Sequence, residues 1–138
     1  MSVTELRVIS FGYLHGAPPP AHLTLDLRLH FKDPHVDPAL RHLTANDPQV
    51  RWAVLGTPGI SGLIATTARL VDSFHAGPGE APLTIAVGCA GGRHRAATVA
   101  SMLAKRLGLL GPRVVLAHRD LDKPVYERTA AGEAVTEV

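Results

Sequence analysis

A small single α/β domain, with a mostly parallel four-stranded sheet and flanking helices, is the fold class this sequence predicts. Three observations carry the prediction. Apolar strand-like runs and helix-period stripes follow one another in the order β-β-α-α-β-α-β, the pattern of helices packed on a sheet. Leu83-Thr84-Ile85-Ala86-Val87 is almost continuously apolar, as a central strand buried on both faces must be. That run passes through Gly88-Cys89-Ala90-Gly91-Gly92 straight into another helical stripe, a strand–turn–helix unit of the kind that crosses over to a parallel neighbour. At 138 residues the chain is one domain, large enough to bury a core without staples.

The N-terminal run Arg7-Val8-Ile9-Ser10-Phe11-Gly12 is a short apolar strand ending at a glycine. Residues 13–21 hold Pro18-Pro19-Pro20 and form an irregular connection. Leu23 to Arg28 alternates apolar and polar residues, which places Asp26 and Arg28 on one face of a second strand. Residues 30–48 make a long loop with three prolines, and long loops in compact domains are functional or disordered. Asp47 is placed to cap a short helix with Pro48 at its first position and Val50, Ala53 and Val54 facing inward. Gly56-Thr57-Pro58-Gly59 breaks it. Residues 60–74 carry a helical stripe of Leu63, Ile64, Leu70, Val71 and Phe74, closed by Gly77-Pro78-Gly79. A third helix is expected over 94–107, with Val99, Leu103 and Leu107 inward and Gly108 just past its end. Arg113 to His118 is the last strand. The domain is expected to occupy residues 1–123, with 124–138 a flexible polar tail. Trp52 and Phe74 are expected in the core or at an interface.

Ligands of such sheets sit beyond the carboxyl ends of the strands. Here those ends are Gly12, Arg28, Cys89 and His118-Arg119, which parallel strands bring to one crevice. Gly88-Cys89-Ala90-Gly91-Gly92-Arg93-His94-Arg95 is the richest of them. A helix start has amides without intrahelical partners and an electropositive dipole end, and a glycine turn lets the backbone approach a phosphate. Arg and His can then hold it with charge-assisted hydrogen bonds. The plainer reading is a tight connection with a solvated helix start. Three basic residues at the end that the dipole disfavours for cations favour an anion there.

Bulk properties exclude several classes. With 46% hydrophobic and 19% charged residues the chain is not disordered. One cysteine makes no internal disulfide. The start, Met1-Ser2-Val3-Thr4-Glu5, is not a signal peptide, and no run reaches the length of a membrane span, so the expectation is a cytoplasmic protein without a membrane partner. A formal charge of +2 does not by itself argue for nucleic acid. Eleven Arg against three Lys suits phosphate recognition, although a GC-rich genome gives the same bias.

Ile9-Ser10-Phe11-Gly12-Tyr13, Asp26-Leu27-Arg28, Asp33-Pro34-His35, Leu40-Arg41-His42-Leu43-Thr44, the loop Gly88 to Arg95, and His118-Arg119-Asp120-Leu121-Asp122-Lys123 share the order and spacing of a known domain. Over residues 6–123 the chain resembles the C-terminal domain of the RapZ family of RNase adaptor proteins, also described as P-loop nucleotide-binding proteins. The resemblance implies a phosphofructokinase-like, sugar-phosphate-binding fold that takes glucosamine-6-phosphate, binds a small regulatory RNA and forms homo-oligomers. It implies a ligand site of Asp26, Arg28, His35, Cys89, Ala90, Gly91, Gly92, His94 and Arg95, in which Asp26 orients Arg28 or accepts from the sugar. It implies an RNA surface of Arg41, Arg93, His118, Arg119 and Lys123. Two positions depart from the family loop, which has Thr after the Cys and Ser after the last Arg where this chain has Ala90 and Ala96. No G-x-x-x-x-G-K-[ST] is present, so the chain is expected to be a stand-alone relative, with a separate protein as a candidate partner.

The leading expectation is therefore a non-catalytic sensor of a phosphorylated small molecule, coupled to RNA binding, with no cofactor. An RNA-binding adaptor without a metabolite site is the first alternative. The second is a Cys-dependent phosphatase, because Cys89 and Arg95 have the C-x5-R spacing of the tyrosine phosphatase loop. Against it stand Ala96 in place of an assisting hydroxyl and the lack of an evident general-acid loop. No metal site is expected. The eight His include no H-x-x-x-H pair on a helix, and His30, Asp33, His35 and Asp37 read as a solvated loop.

Overall fold

Strand β3, Leu83–Cys89, is the centre of the molecule because its side chains leave no polar face to turn outward. In the computed structural model, which describes residues 5–128 and 134–136, it lies between β2, Leu23–Asp26, and β1, Glu5–Gly12. Strand β4, Arg113–His118, is on the far side of β1, so the order is β2-β3-β1-β4 and all pairings are parallel. Helices α1, Pro48–Leu55, and α2, Ile60–Ala76, connect β2 to β3, and α3, Arg95–Gly108, connects β3 to β4. The expected element order is the observed one. A separate antiparallel pair, β5 (Tyr126–Arg128) and β6 (Ala134–Thr136), lies within the segment expected to be a tail. Residues 129–133 and 137–138 of that segment lie outside the described residues.

The core forms on one face of the sheet. Leu6 and Val8 of β1 and Leu83, Ile85 and Val87 of β3 alternate toward a cluster shared with Val50 and Val54 of α1, Ile60, Ile64 and Val71 of α2, and Val99, Leu103 and Leu107 of α3. The opposite face carries Arg7, Thr84, Ala86, Val115 and Ala117, none of which joins that core. Helix α3 sits nearest the sheet because its inner face is mostly alanine. Ala96, Ala97 and Ala100 are fully buried, and small side chains let the helix axis approach the strands.

Two local expectations are corrected and a third is narrowed. Asp47 occupies the N-cap of α1, but its carboxylate turns back to accept from the Thr44 amide (3.0 Å) rather than from the helix. Gly108 is the last residue of α3, not the residue after it. Of the two places expected for Trp52, the core is ruled out: it is 75% exposed, because Val50 and Val54 are the side chains that the short α1 buries. No single described helix is long and apolar enough to cross a membrane.

Candidate functional site

The sheet order brings the ends of β1 and β3 side by side, with Gly12 opposite Cys89. The turns leaving these two strands press on each other. A Cβ on Gly12 would overlap the Gly91 carbonyl group and come within 2.8 Å of the Gly92 amide nitrogen. Gly92 has φ +78°, a left-handed conformation, and a Cβ there would lie 2.8 Å from the Gly12 nitrogen. Both positions require glycine for room, and Gly92 requires it for conformation as well.

Under this contact lies Asp120, with no exposed surface. It accepts from the Gly12 amide (2.7 Å) and from Arg119 Nε (3.0 Å), and Lys123 Nζ is 2.7 Å from its other oxygen. Burial pushes its carboxyl up, but these three partners outweigh burial and hold it below the usual carboxylate range. Sequence reasoning placed Asp120 in the motif of residues 118–123 but gave it no place in the ligand site. The signal available was an acid directly after the last strand, between Arg119 and Lys123.

The three basic residues that end the glycine loop do not reach into open space; they tie down three other loops. Arg93 donates to the carbonyls of His42 (2.9 Å) and Lys123 (2.9 Å). His94 Nε2 donates to the Leu43 carbonyl (2.8 Å), and burial pushes its pKa below the ordinary histidine value. Arg95 is 2% exposed. Its Nη1 serves the carbonyls of Leu27 (2.9 Å), Arg28 (3.2 Å) and Phe31 (2.9 Å), and its Nη2 pairs with Asp33 Oδ2 (3.2 Å). The cations that the helix dipole disfavours at this end are thus offset by main-chain carbonyls and a carboxylate. Cys89 is nearly buried, and its Sγ accepts from the amides of Gly92 (3.3 Å) and Ala96 (3.4 Å).

What these ties enclose is a cleft of about 230 Å³ lined by Leu14, Asp33, His35, Val36, Cys89, Ala90, Gly91, Arg93, His94, Arg95 and Val125. Among the described residues, the amides of Gly91, Arg93 and His94 take part in no backbone hydrogen bond. Asp33 is fixed at both oxygens, since Oδ1 accepts from the His35 amide (2.9 Å) at the start of a 3-10 turn over Pro34–Val36. The cleft is therefore lined by loop residues whose amides have no backbone partner among the described residues, by the fixed Asp33 carboxylate and by His35.

The expected ligand residues divide accordingly. His35, Cys89, Ala90, Gly91, His94 and Arg95 line the cleft together. Gly92 supports it from behind. Asp26 and Arg28 stand outside it as an ion pair (2.7 Å), with the Arg28 guanidinium 3.6 Å over the Tyr13 ring. Asp33, Leu14, Val36 and Val125 line the cleft without having been singled out as ligand residues. Asp33 is legible in hindsight, because an Asp before Pro starts a turn and its side chain accepts from a backbone amide two residues on.

The expected RNA residues are similarly engaged with the fold. Arg41 Nε donates to the His35 carbonyl (3.1 Å). His118 lies between Ser10 Oγ (2.6 Å) and Ser101 Oγ (3.2 Å), pinning α3 to the sheet. Arg119 donates to the carbonyls of Ala17, Gly12 and Gly16. Among the described residues no cluster of three His, Cys, Asp or Glu could hold a metal ion. The C-x5-R spacing does not produce the phosphatase arrangement, in which both ends of the guanidinium face the phosphate, because Arg95 Nη1 and Nη2 are taken by the 27–33 segment and Nε alone has no partner among the described residues.

A one-sided, all-parallel α/β sheet with a glycine loop opening on a cleft defines a small α/β domain of the kind that presents strand ends and a helix start to a ligand. The family is more specific. The model of the RapZ C-terminal domain matches residues 4–122, and the chain belongs to that family. Among its relatives, a nucleotide-binding protein of Rubrobacter xylanophilus is 43% identical over 124 residues, 85% of this chain and 40% of the relative. A nucleotide-binding protein of Frankia casuarinae is 43% identical over 119 residues, covering 84% and 41%. One from Trichlorobacter lovleyi is 37% identical over 121 residues, covering 86% and 42%. The chain spans about two fifths of the length of these relatives.

Proposed function

We propose that this domain is a non-catalytic sensor that binds a phosphorylated small molecule, an amino-sugar phosphate such as glucosamine-6-phosphate, in the cleft between the glycine loop and the 33–36 turn. One observation carries the reading. Gly91, Arg93 and His94, whose amides have no backbone partner among the described residues, line the cleft together with Asp33 and His35. Amides at the start of α3 suit a phosphate, and the Asp33 carboxylate suits an ammonium or hydroxyl. Arg95 contributes by holding the 27–33 segment rather than by gripping the phosphate. The sensor acts through homo-oligomers and a separate protein partner.

The test is calorimetric titration of glucosamine-6-phosphate beside glucosamine, glucose-6-phosphate, inorganic phosphate and, because the relatives are named nucleotide-binding proteins, a nucleoside triphosphate. Binding that needs both phosphate and amine supports the reading. Silence from all five removes it and leaves RNA as the better ligand, for which affinity must fall steeply with salt.

A further inference from the structure

Away from the cleft, the outer surface of the helical layer has a feature that the sensor reading does not use. A groove of about 580 Å³ runs between the end of α1, the first turns of α2 and the end of α3, lined by Leu55, Ser61, Ile64, Met102, Lys105, Arg106, Leu109 and Leu110. Leu109 is 81% exposed and Leu110 62%, directly after α3 ends. Trp52 stands one turn before Leu55 on α1 and is also exposed. Clustered apolar side chains of this size in solvent mark an interaction site, whereas singly scattered ones do not.

Charge selects the occupant. Lys105 and Arg106 line the groove, both are exposed, and neither has an acidic partner among the described residues. Across α1, α2 and the exposed face of α3 the cations are Arg51, Arg69, Lys105 and Arg106, against Asp72 alone. Two copies joined through this face would bring two cationic rims together with no carboxylate of the groove lining to meet them, and like charges brought together oppose association. An apolar groove with a cationic rim suits the opposite sign. We infer that it is the docking site for an acidic amphipathic helix of another polypeptide, with leucine-type anchors meeting Leu55, Ile64, Met102 and Leu109 and carboxylates meeting Lys105 and Arg106. This is the helix-in-groove mode, read by anchors one turn apart.

Trp52 is the only tryptophan in the chain, so it reports on the groove. The probe is a tryptophan-free amphipathic peptide with a leucine stripe and glutamate elsewhere, titrated into the intact protein. Peptide anisotropy gives the affinity and Trp52 emission the location. A lysine-for-glutamate version of the peptide is the control. The expected result is saturable binding of the acidic peptide with a blue shift of Trp52. Lys105→Glu/Arg106→Glu, two exposed positions, should weaken it roughly tenfold and reverse the preference toward the lysine peptide. Absence of saturable binding overturns the inference, as does equal binding of both peptides or binding indifferent to the charge reversal. A blue shift that appears on raising protein concentration alone, with a doubled mass in sedimentation, also overturns it in favour of a second copy. None of these readouts involves the cleft, so failure here leaves the sensor reading untouched.

Discussion

Arg95 Nη2 lies 3.2 Å from Asp33 Oδ2, and this one contact joins the start of α3 to the turn that forms the opposite wall of the cleft. The same guanidinium holds the carbonyls of Leu27, Arg28 and Phe31. It is a buried cation whose partners all come from one loop, so its removal strands several acceptors at once.

Arg95→Ala is accordingly expected to cost about 3–5 kcal/mol of stability, the range for breaking a buried ion pair from one side. Asp33→Ala should cost less, and in the Arg95→Ala background less again, because the charge it would strand is already gone. A urea-unfolding double-mutant cycle measures the coupling, expected at about 0.5–3 kcal/mol. Additive losses would mean that the pair does not join the two walls.

Two glycines separate the roles of space and flexibility. Gly12→Ala forces a Cβ into the Gly91 carbonyl group and the Gly92 amide, and should destabilise by at least about 1–3 kcal/mol, the usual cost of overpacking. Gly62 lies inside α2 with nothing within 4 Å of its Cβ position. Gly62→Ala should therefore stabilise by about 0.5–1 kcal/mol through helix propensity. Thermal unfolding of the two variants should move in opposite directions.

Acid should destabilise the protein in two stages. Burial first lowers the pKa of His94, and it lowers that of His118 likewise. A histidine whose folded pKa lies below its unfolded value of about 6.5 contributes fully above that pH and loses its contribution as pH falls toward the folded pKa. Asp120 is a carboxyl held low despite its burial, so its contribution is full above about pH 4 and is lost on further acidification. Urea midpoints at stepped pH should fall first below about 6.5 and again below about 4. His94→Gln, which keeps a donor for the Leu43 carbonyl, should shrink the first fall only.

The two alanines in the loop are not equivalent. Ala90 lines the cleft, whereas Ala96 is fully buried in the core with its amide on Cys89 Sγ. If the cleft takes a phosphate, Ala90→Thr adds a hydroxyl within reach and should tighten binding by about 0.5–1.5 kcal/mol. Ala96→Ser should leave affinity unchanged and cost some stability. Calorimetry of glucosamine-6-phosphate against both variants distinguishes them, and an affinity gain from Ala96→Ser alone would reverse the assignment.

The family loop and its neighbours were legible because they are local. Strand β3 announced itself by an unbroken apolar run, α3 by its stripe, and the turn between them by adjacent glycines. Helix ends and caps were less legible. Asp47 has the residue type and position of an N-cap, yet Thr44, which also lies before the helix, took its carboxylate. Arg93, His94 and Arg95 read as anion ligands because basic groups at a helix start lack a local partner. Their partners are carbonyls 28 to 68 residues away in sequence, which no periodicity announces.

By itself, the sequence determined the order of seven elements, the family and the loop on which the site is built, since each is written in nearest-neighbour chemistry: apolar period, glycine, proline and residue type. Tertiary structure alone decided the strand order β2-β3-β1-β4, the contact of Gly12 with Gly92, and which charged groups face the cleft rather than one another. Those outcomes depend on segments meeting that are far apart in the chain. A buried guanidinium takes whichever acceptors the packed loops present to it, and that choice exists only once the loops are in place.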